Sequence, residues 1–187
     1  MASDLSLEWF GQERVDPMTL EERITRLFEQ LREPLYRYLL LTSSRPDLSE
    51  ELTQETFLRL HLLLRDGKRI ANVKAWLFRV AHNLMIDSCR RNGTKEVFAS
   101  PDEWERLEHS RAAVGPDPEE SFLADERLRR VDDAVSKLSA QQRRCLHLRA
   151  EGFRYRDIAE ILGVSESTVT ENLRRALGRL LRDLHAS

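Results

Sequence analysis

YRDIAEILGVSESTVTENLRRALGRL, residues Tyr155 to Leu180, decides the fold of at least the C-terminal part of this chain. Its small and apolar residues fall where two short helices must cross through a tight turn. Ala159 leaves room for a second helix, Gly163 permits a left-handed turn, and Val164, Val169 and Leu173 supply the apolar contacts that lock the pair. This is a helix-turn-helix pattern. The second helix, expected from about Glu166 to Leu181 behind an N-cap at Ser165, would lie in a DNA major groove and offer Ser167, Thr170, Glu171 and Arg174 to base edges. Leu173, Leu177 and Leu180 are expected to point inward. An ordinary helical hairpin satisfies the same spacing, so the rest of the chain must decide between the two.

Outward from that motif, the periodicity is helical throughout. Ser139 to Glu151 and Glu119 to Lys137 predict two preceding helices. At the other end, Leu20, Ile24, Leu27, Phe28, Leu31 and Leu35 recur at helical steps, with Pro34 expected to kink or restart the helix. SSRPD, Ser43 to Asp47, predicts a break. Leu48 to Leu64 then reads as an amphipathic helix ended by Asp66 and Gly67, with Leu52, Phe57, Leu60 and Leu64 available to a core. Val73 to Arg91 predicts a third helix with Val73, Trp76, Leu77, Val80 and Leu84 on one side. Arg79, Asn83, Asp87 and Arg90 fall on the other. The expected class is all-α, in two small helical domains.

The formal net charge of -2 argues against a nucleic-acid binder only if the signs are mixed, and here they are segregated. Between residues 65 and 95, Arg65, Lys68, Arg69, Lys74, Arg79, Arg90, Arg91 and Lys95 face only Asp66 and Asp87. Residues 96 to 126 invert this, with ten acids against Arg106 and Arg111. Pro101, Pro116 and Pro118 give the same stretch a linker composition, with a short helix expected around Asp102 to Arg111. The divisions follow: an N-terminal extension at 1–19, a first domain at 20–95, an acidic linker at 96–119 and a second domain at 120–187. Trp104 has no assignment.

Cys89 and Cys145 lie in different halves, which indicates neither a disulfide framework nor a metal pair. The five histidines show no metal spacing, and there is no phosphate-cradling glycine loop or nucleophile motif. No catalytic residue, cofactor or metal is expected. With no secretory signal and no run long enough to span a membrane, the expectation is a cytoplasmic protein without membrane insertion.

DLSEELTQETFLRL, Asp47 to Leu60, resembles region 2.1 to 2.2 of bacterial sigma factors. VKAWLFRVAHNLMIDSCRR, Val73 to Arg91, resembles their regions 2.3 to 2.4, and LSAQQRRCLHLRAEGFRYRDIAEILGVSESTVTENLRRALGRL resembles region 4. Two such regions joined by a short linker are similar to the extracytoplasmic function sigma factors. The likeness covers roughly residues 20 to 184. Glu171 stands where relatives often carry a basic or small residue, and Asn172 where they often carry Arg.

The resemblance implies core RNA polymerase (its clamp helices and flap) and promoter DNA as partners, with an anti-sigma factor as a further one. Gln54, Glu55 and Arg59 would meet the clamp. The basic loop RDGKRIANV, Arg65 to Val73, would capture a flipped base of the minus-ten element, an event that costs a few kcal/mol per nucleotide and needs pocket contacts to offset it. Asn83 would read a base edge. Arg65, Lys68, Arg69, Lys74, Arg79, Arg90 and Arg91 would complete that surface. At the minus-thirty-five element the implied set is Ser165, Ser167, Thr168, Thr170, Glu171, Arg174 and Arg175, with Arg154, Arg156 and Arg179 as further phosphate contacts. The linker would thread a polymerase channel, its acids imitating phosphates. The phase of Trp76 assigns it to packing rather than to stacking, and His82 reads as a surface or packing histidine rather than a ligand. One helix makes too few contacts to bind tightly alone, so joint recognition would depend on tethering both readers through the polymerase. A stand-alone helix-turn-helix regulator of duplex operator DNA is the alternative, and it leaves the region-two motif unexplained.

Overall fold

A computed structural model of the chain describes residues 19–91, Val131 and 133–185. The N-terminal extension, the acidic linker with Trp104 and most of the helix expected from Glu119 lie outside those residues. Six helices order the remainder: α1 (Leu20–Ser43), α2 (Pro46–Arg65), α3 (Val73–Arg91), α4 (Ala140–Ala150), α5 (Tyr155–Leu162) and α6 (Glu166–His185). There is no strand among the described residues.

Local chemistry sets most of the boundaries. Thr19 and Glu22 form a reciprocal capping box at the start of α1, the Glu22 carboxylate accepting from the Thr19 amide at 2.7 Å. Ser139 and Gln142 do the same for α4. Ser44 ends α1 in the left-handed region at φ 54°, and Pro46 opens α2 where its missing N–H costs nothing. Asn72 caps α3, its Oδ1 accepting from the Ala75 amide at 2.9 Å.

Pro34 does not restart α1, which runs through it unbroken. An interior proline forfeits one ladder hydrogen bond and costs about 3 kcal/mol. Immediately after it, Leu35, Tyr38 and Leu39 are completely buried, and burial of such side chains contributes about 1.5 to 3 kcal/mol each. Packing therefore outweighs the local defect.

The first three helices form a bundle in which α1 packs on α2 and α3 closes the other side. Ser49, Thr53 and Thr56 on α2 are buried, which is tolerable because each hydroxyl donates to the carbonyl four residues back, at 2.7–2.8 Å. Phe28 stands at the edge, its ring meeting Phe57 edge-on at 4.9 Å. The last three helices pack with Ala134 and Leu138 around Cys145, Leu148, Ile158, Ile161, Val169 and Leu173.

The two halves are not separate bodies. Phe78 of α3 meets Phe153, in the loop before α5, at 4.9 Å between ring centroids, and Tyr38 of α1 lies 5.9 Å from the His147 ring of α4. Buried residues of both halves make one continuous apolar core.

Candidate nucleic-acid interface

The helix-turn-helix forms as its spacing predicts. Gly163 takes φ 65°, Ala159 is buried where α6 crosses α5, and Val169 and Leu173 lie inside. Ser165 caps α6: its hydroxyl accepts from the Thr168 amide at 3.2 Å and lies 2.8 Å from the hydroxyls of Ser167 and Thr168. The expected inward stripe needs one correction. Leu173 and Ala176 face the core, whereas Leu177 is 50% exposed. The stripe advances by four and then three residues from Val169, so Leu177 stands about 100° away from Ala176, beyond the reach of the short α5.

On the outer face of α6, Ser167, Thr170, Arg174 and Arg175 are exposed, while Thr168 and Glu171 are half-buried. The Thr170 hydroxyl is already committed to the Glu166 carbonyl at 2.9 Å. Glu171 accepts from both Nε and Nη2 of Arg174, each at 2.9 Å, and from Nε of Arg175. These hydrogen bonds hold its carboxyl down to about 2. Arg154 and Arg156 are exposed at the start of α5, and Arg179 farther along α6.

The basic surface of the N-terminal bundle divides in two. Arg65, Lys68 and Arg69 are exposed around the α2–α3 loop, where Ile70 alone anchors the chain in the core. Asn83, Arg90 and Arg91 are exposed along α3, opposite buried Leu77 and Leu84. Trp76 is half-buried and packs against the core; His82 is buried, with Nδ1 2.8 Å from the Tyr38 hydroxyl, so both serve packing. Lys74 and Arg79 instead reach across to the C-terminal half. Lys74 Nζ donates to the Glu151 carbonyl at 2.6 Å and lies 3.5 Å from its carboxylate, while Arg79 lies 3.9 Å from Glu160.

On α2, Gln54 and Arg59 are exposed, and Arg59 donates to Glu55 at 2.7 Å. Leu58 and Leu62, which sequence reasoning passed over, share that helix's exposed side at 53% and 39%. A leucine in a charged surroundings carries no chemical signature, so only its position could have drawn notice. Among the described residues no His, Cys, Asp and Glu cluster fits a metal ion, and no helix is long and apolar enough to cross a membrane.

Comparison with known proteins agrees with this architecture. Residues 27–94 match the Sigma-70 region 2 family, and residues 128–180 match Sigma-70, region 4. The chain is 33% identical over 165 residues to the ECF RNA polymerase sigma factor SigL of Mycobacterium tuberculosis, covering 84% of this chain and 88% of that one. It is 30% identical over 155 residues to the ECF RNA polymerase sigma factor SigE of Mycolicibacterium smegmatis, covering 82% of this chain. Its matches span only 58% of SigE and 60% of the Streptomyces coelicolor sigma factor BldN. The fold is similar to the sigma factor RpoE of Bartonella quintana, solved with the anti-sigma factor NepR, with a TM-score of 0.60, 24% identity and coverage of 87% of this chain and 97% of that one. With both regions present in order, and a relative matched over most of its length, the chain belongs to the extracytoplasmic function sigma factors of RNA polymerase.

Proposed function

We propose that this protein binds core RNA polymerase in the cytoplasm and directs it to a subset of promoters. In this reading α2 docks on the polymerase clamp through Gln54, Glu55 and Arg59. The α2–α3 loop and the outer face of α3 hold melted minus-ten DNA through Arg65, Lys68, Arg69, Lys74, Arg79, Asn83, Arg90 and Arg91. Helix α6 reads minus-thirty-five duplex through Arg174, with Ser165, Ser167, Thr168, Thr170, Glu171 and Arg175 around it.

The observation that carries the reading is the joint presence of two exposed polar helix faces, on α3 and α6, in one chain that matches both sigma regions. Base-edge contacts give discrimination and phosphate contacts give position, and each face offers both kinds of side chain. Catalysis belongs to the polymerase. The acidic residues 96–119 would occupy a polymerase channel that otherwise takes nucleic acid.

Transcription in vitro from genomic DNA fragments, with core polymerase and this protein, tests the proposal. Discrete start sites that need the added protein are expected. Tight, sequence-specific duplex binding by the isolated chain, without association with core, would establish the stand-alone regulator instead.

A further inference from the structure

Leu58 and Leu62 lie one turn apart on the exposed side of α2, among Gln54, Glu55 and Arg59. At the neighbouring edge of α1, Phe28 is 36% exposed, its ring against Phe57, the residue before Leu58. A single exposed leucine is ordinary, but a leucine pair with an aromatic ring at its border is a patch that gains by being covered. The bundle sets what lies within reach of it. Phe28 meets Phe57, while Arg32, farther along α1, donates to Glu50, earlier on α2, so the two helices run antiparallel. The start of α1 therefore stands beside the end of α2, and residues 1–18 join the fold at the end of the bundle where Leu62 lies.

The composition of those residues matches the patch. Leu5, Leu7, Trp9 and Phe10 gather four large apolar side chains within six residues, and Asp4, Glu8, Glu13 and Asp16 stand against Arg14 alone. At the receiving end of the bundle Arg26, Arg65, Lys68 and Arg69 are exposed. The nine residues from Thr19 back to Phe10 can span up to about 30 Å. Leu58 lies about 10 Å back along α2 from Arg65, and a helix is about 10 to 12 Å across, so the reach is sufficient.

We propose that in the free chain Leu5, Leu7, Trp9 and Phe10 cover Leu58 and Leu62, and that the polymerase clamp displaces them to reach the same face of α2. The inference rests on the function proposed above. Apolar burial supplies the attachment, and the acids, drawn to the basic end of the bundle, give it direction. Because the segment is tethered, its effective concentration is in the millimolar range, so a weak contact suffices to fill the site. The clamp then sees its affinity reduced by the fraction of chain whose α2 face is uncovered.

The test uses the full chain carrying Trp9→p-benzoylphenylalanine, photolysed alone and again with core polymerase, and the cross-linked peptides are mapped by mass spectrometry. We expect monomeric products joined to residues 54–65 of α2, and their loss when core polymerase is added. In the second arm the triple variant Leu5→Ser/Trp9→Ser/Phe10→Ser should bind labelled core polymerase about ten-fold more tightly than the parent, as for a site covered about nine-tenths of the time. Asp4→Asn/Glu8→Gln should fall between. Circular dichroism checks that helix content is kept. Products joining two chains would assign the patch to a second copy, and products elsewhere on the chain would leave α2 uncovered; either overturns the proposal. So does a triple variant that binds core no more tightly than the parent. Failure of core polymerase to bind parent and variants alike would sink the proposed function and the displacement, while the free-chain cross-links would still decide whether residues 5–10 cover α2.

Discussion

Glu171 and Arg174 form a two-point ion pair on the outer face of α6, with Nε and Nη2 of the arginine each 2.9 Å from a carboxylate oxygen, and the same carboxylate also takes Arg175. The acid therefore spends its acceptors on its own helix. Its role is to orient two guanidinium groups, and a cytosine amino group would have to compete with both.

Removing either partner of that pair should alter the same promoter position. Arg174→Ala should relax preference at one base pair of the minus-thirty-five element by about ten-fold, the scale of a bidentate base contact. Glu171→Ala should blur the same position, because Arg174 is no longer held, and should raise affinity for all sequences with a steeper salt dependence. Promoter libraries randomised at that element and selected with each mutant holoenzyme check both. Motifs identical to the parent's would show that another face of α6 reads the DNA.

Asn83 is exposed on α3, on the side opposite Leu77 and Leu84. Asn83→Ala should leave thermal stability within about 0.5 kcal/mol of the parent, as for surface sites generally, and leave core binding intact. Open-complex formation should fall. Permanganate reactivity of unpaired thymines near the start site measures it, and unchanged reactivity would remove Asn83 from the proposed site.

Gly163 adopts φ 65° between α5 and α6, and a Cβ there would meet nothing within 4 Å. The cost of Gly163→Ala is therefore backbone conformation alone, about 1 to 2 kcal/mol. Gly163→Asn should recover part of it, since asparagine visits the left-handed region more readily. Denaturant unfolding of the three proteins gives the ranking; an alanine variant as stable as the parent would mean that the turn tolerates another geometry.

His147 is held below its ordinary pKa, chiefly by burial, with Arg37 and Lys74 acting in the same direction and Glu151 opposing. Its Nε2 is buried without a hydrogen-bond partner among the described residues, and its ring lies against Tyr38. Above about pH 6.5 both folded and unfolded chains carry it neutral, so it contributes no pH dependence. As pH falls below that value the unfolded chain takes up the proton first, and stability is lost progressively. His147→Phe should flatten the stability profile on the acid side of neutrality, as read by urea midpoints at a series of pH values. A slope equal to the parent's would place the proton uptake elsewhere.

Most of the local structure follows from residue chemistry within one or two helical turns. The bounds of α3, the capping boxes at Thr19 and Ser139, the left-handed Gly163 and the outward set Arg79, Asn83 and Arg90 are all consequences of that kind. So is the segregation of charge that separates the basic face of α3 from the acidic stretch after it. These features depend on neighbours three or four residues away, so a linear sequence displays them.

Tertiary packing decided the rest. Pro34 stays inside a continuous helix because the residues after it are buried against α2 and α3. Phe78 falls between the inward and outward faces of α3 and is nevertheless fully buried, because Phe153 of the other half covers it. Lys74 looked like one more phosphate contact in a basic run, and it meets Glu151 across 77 residues of sequence. Periodicity reports which side of a helix is apolar, but not what a second domain brings to its border. That is a long-range choice, settled by which aromatic surfaces fit together and which charges meet when they do.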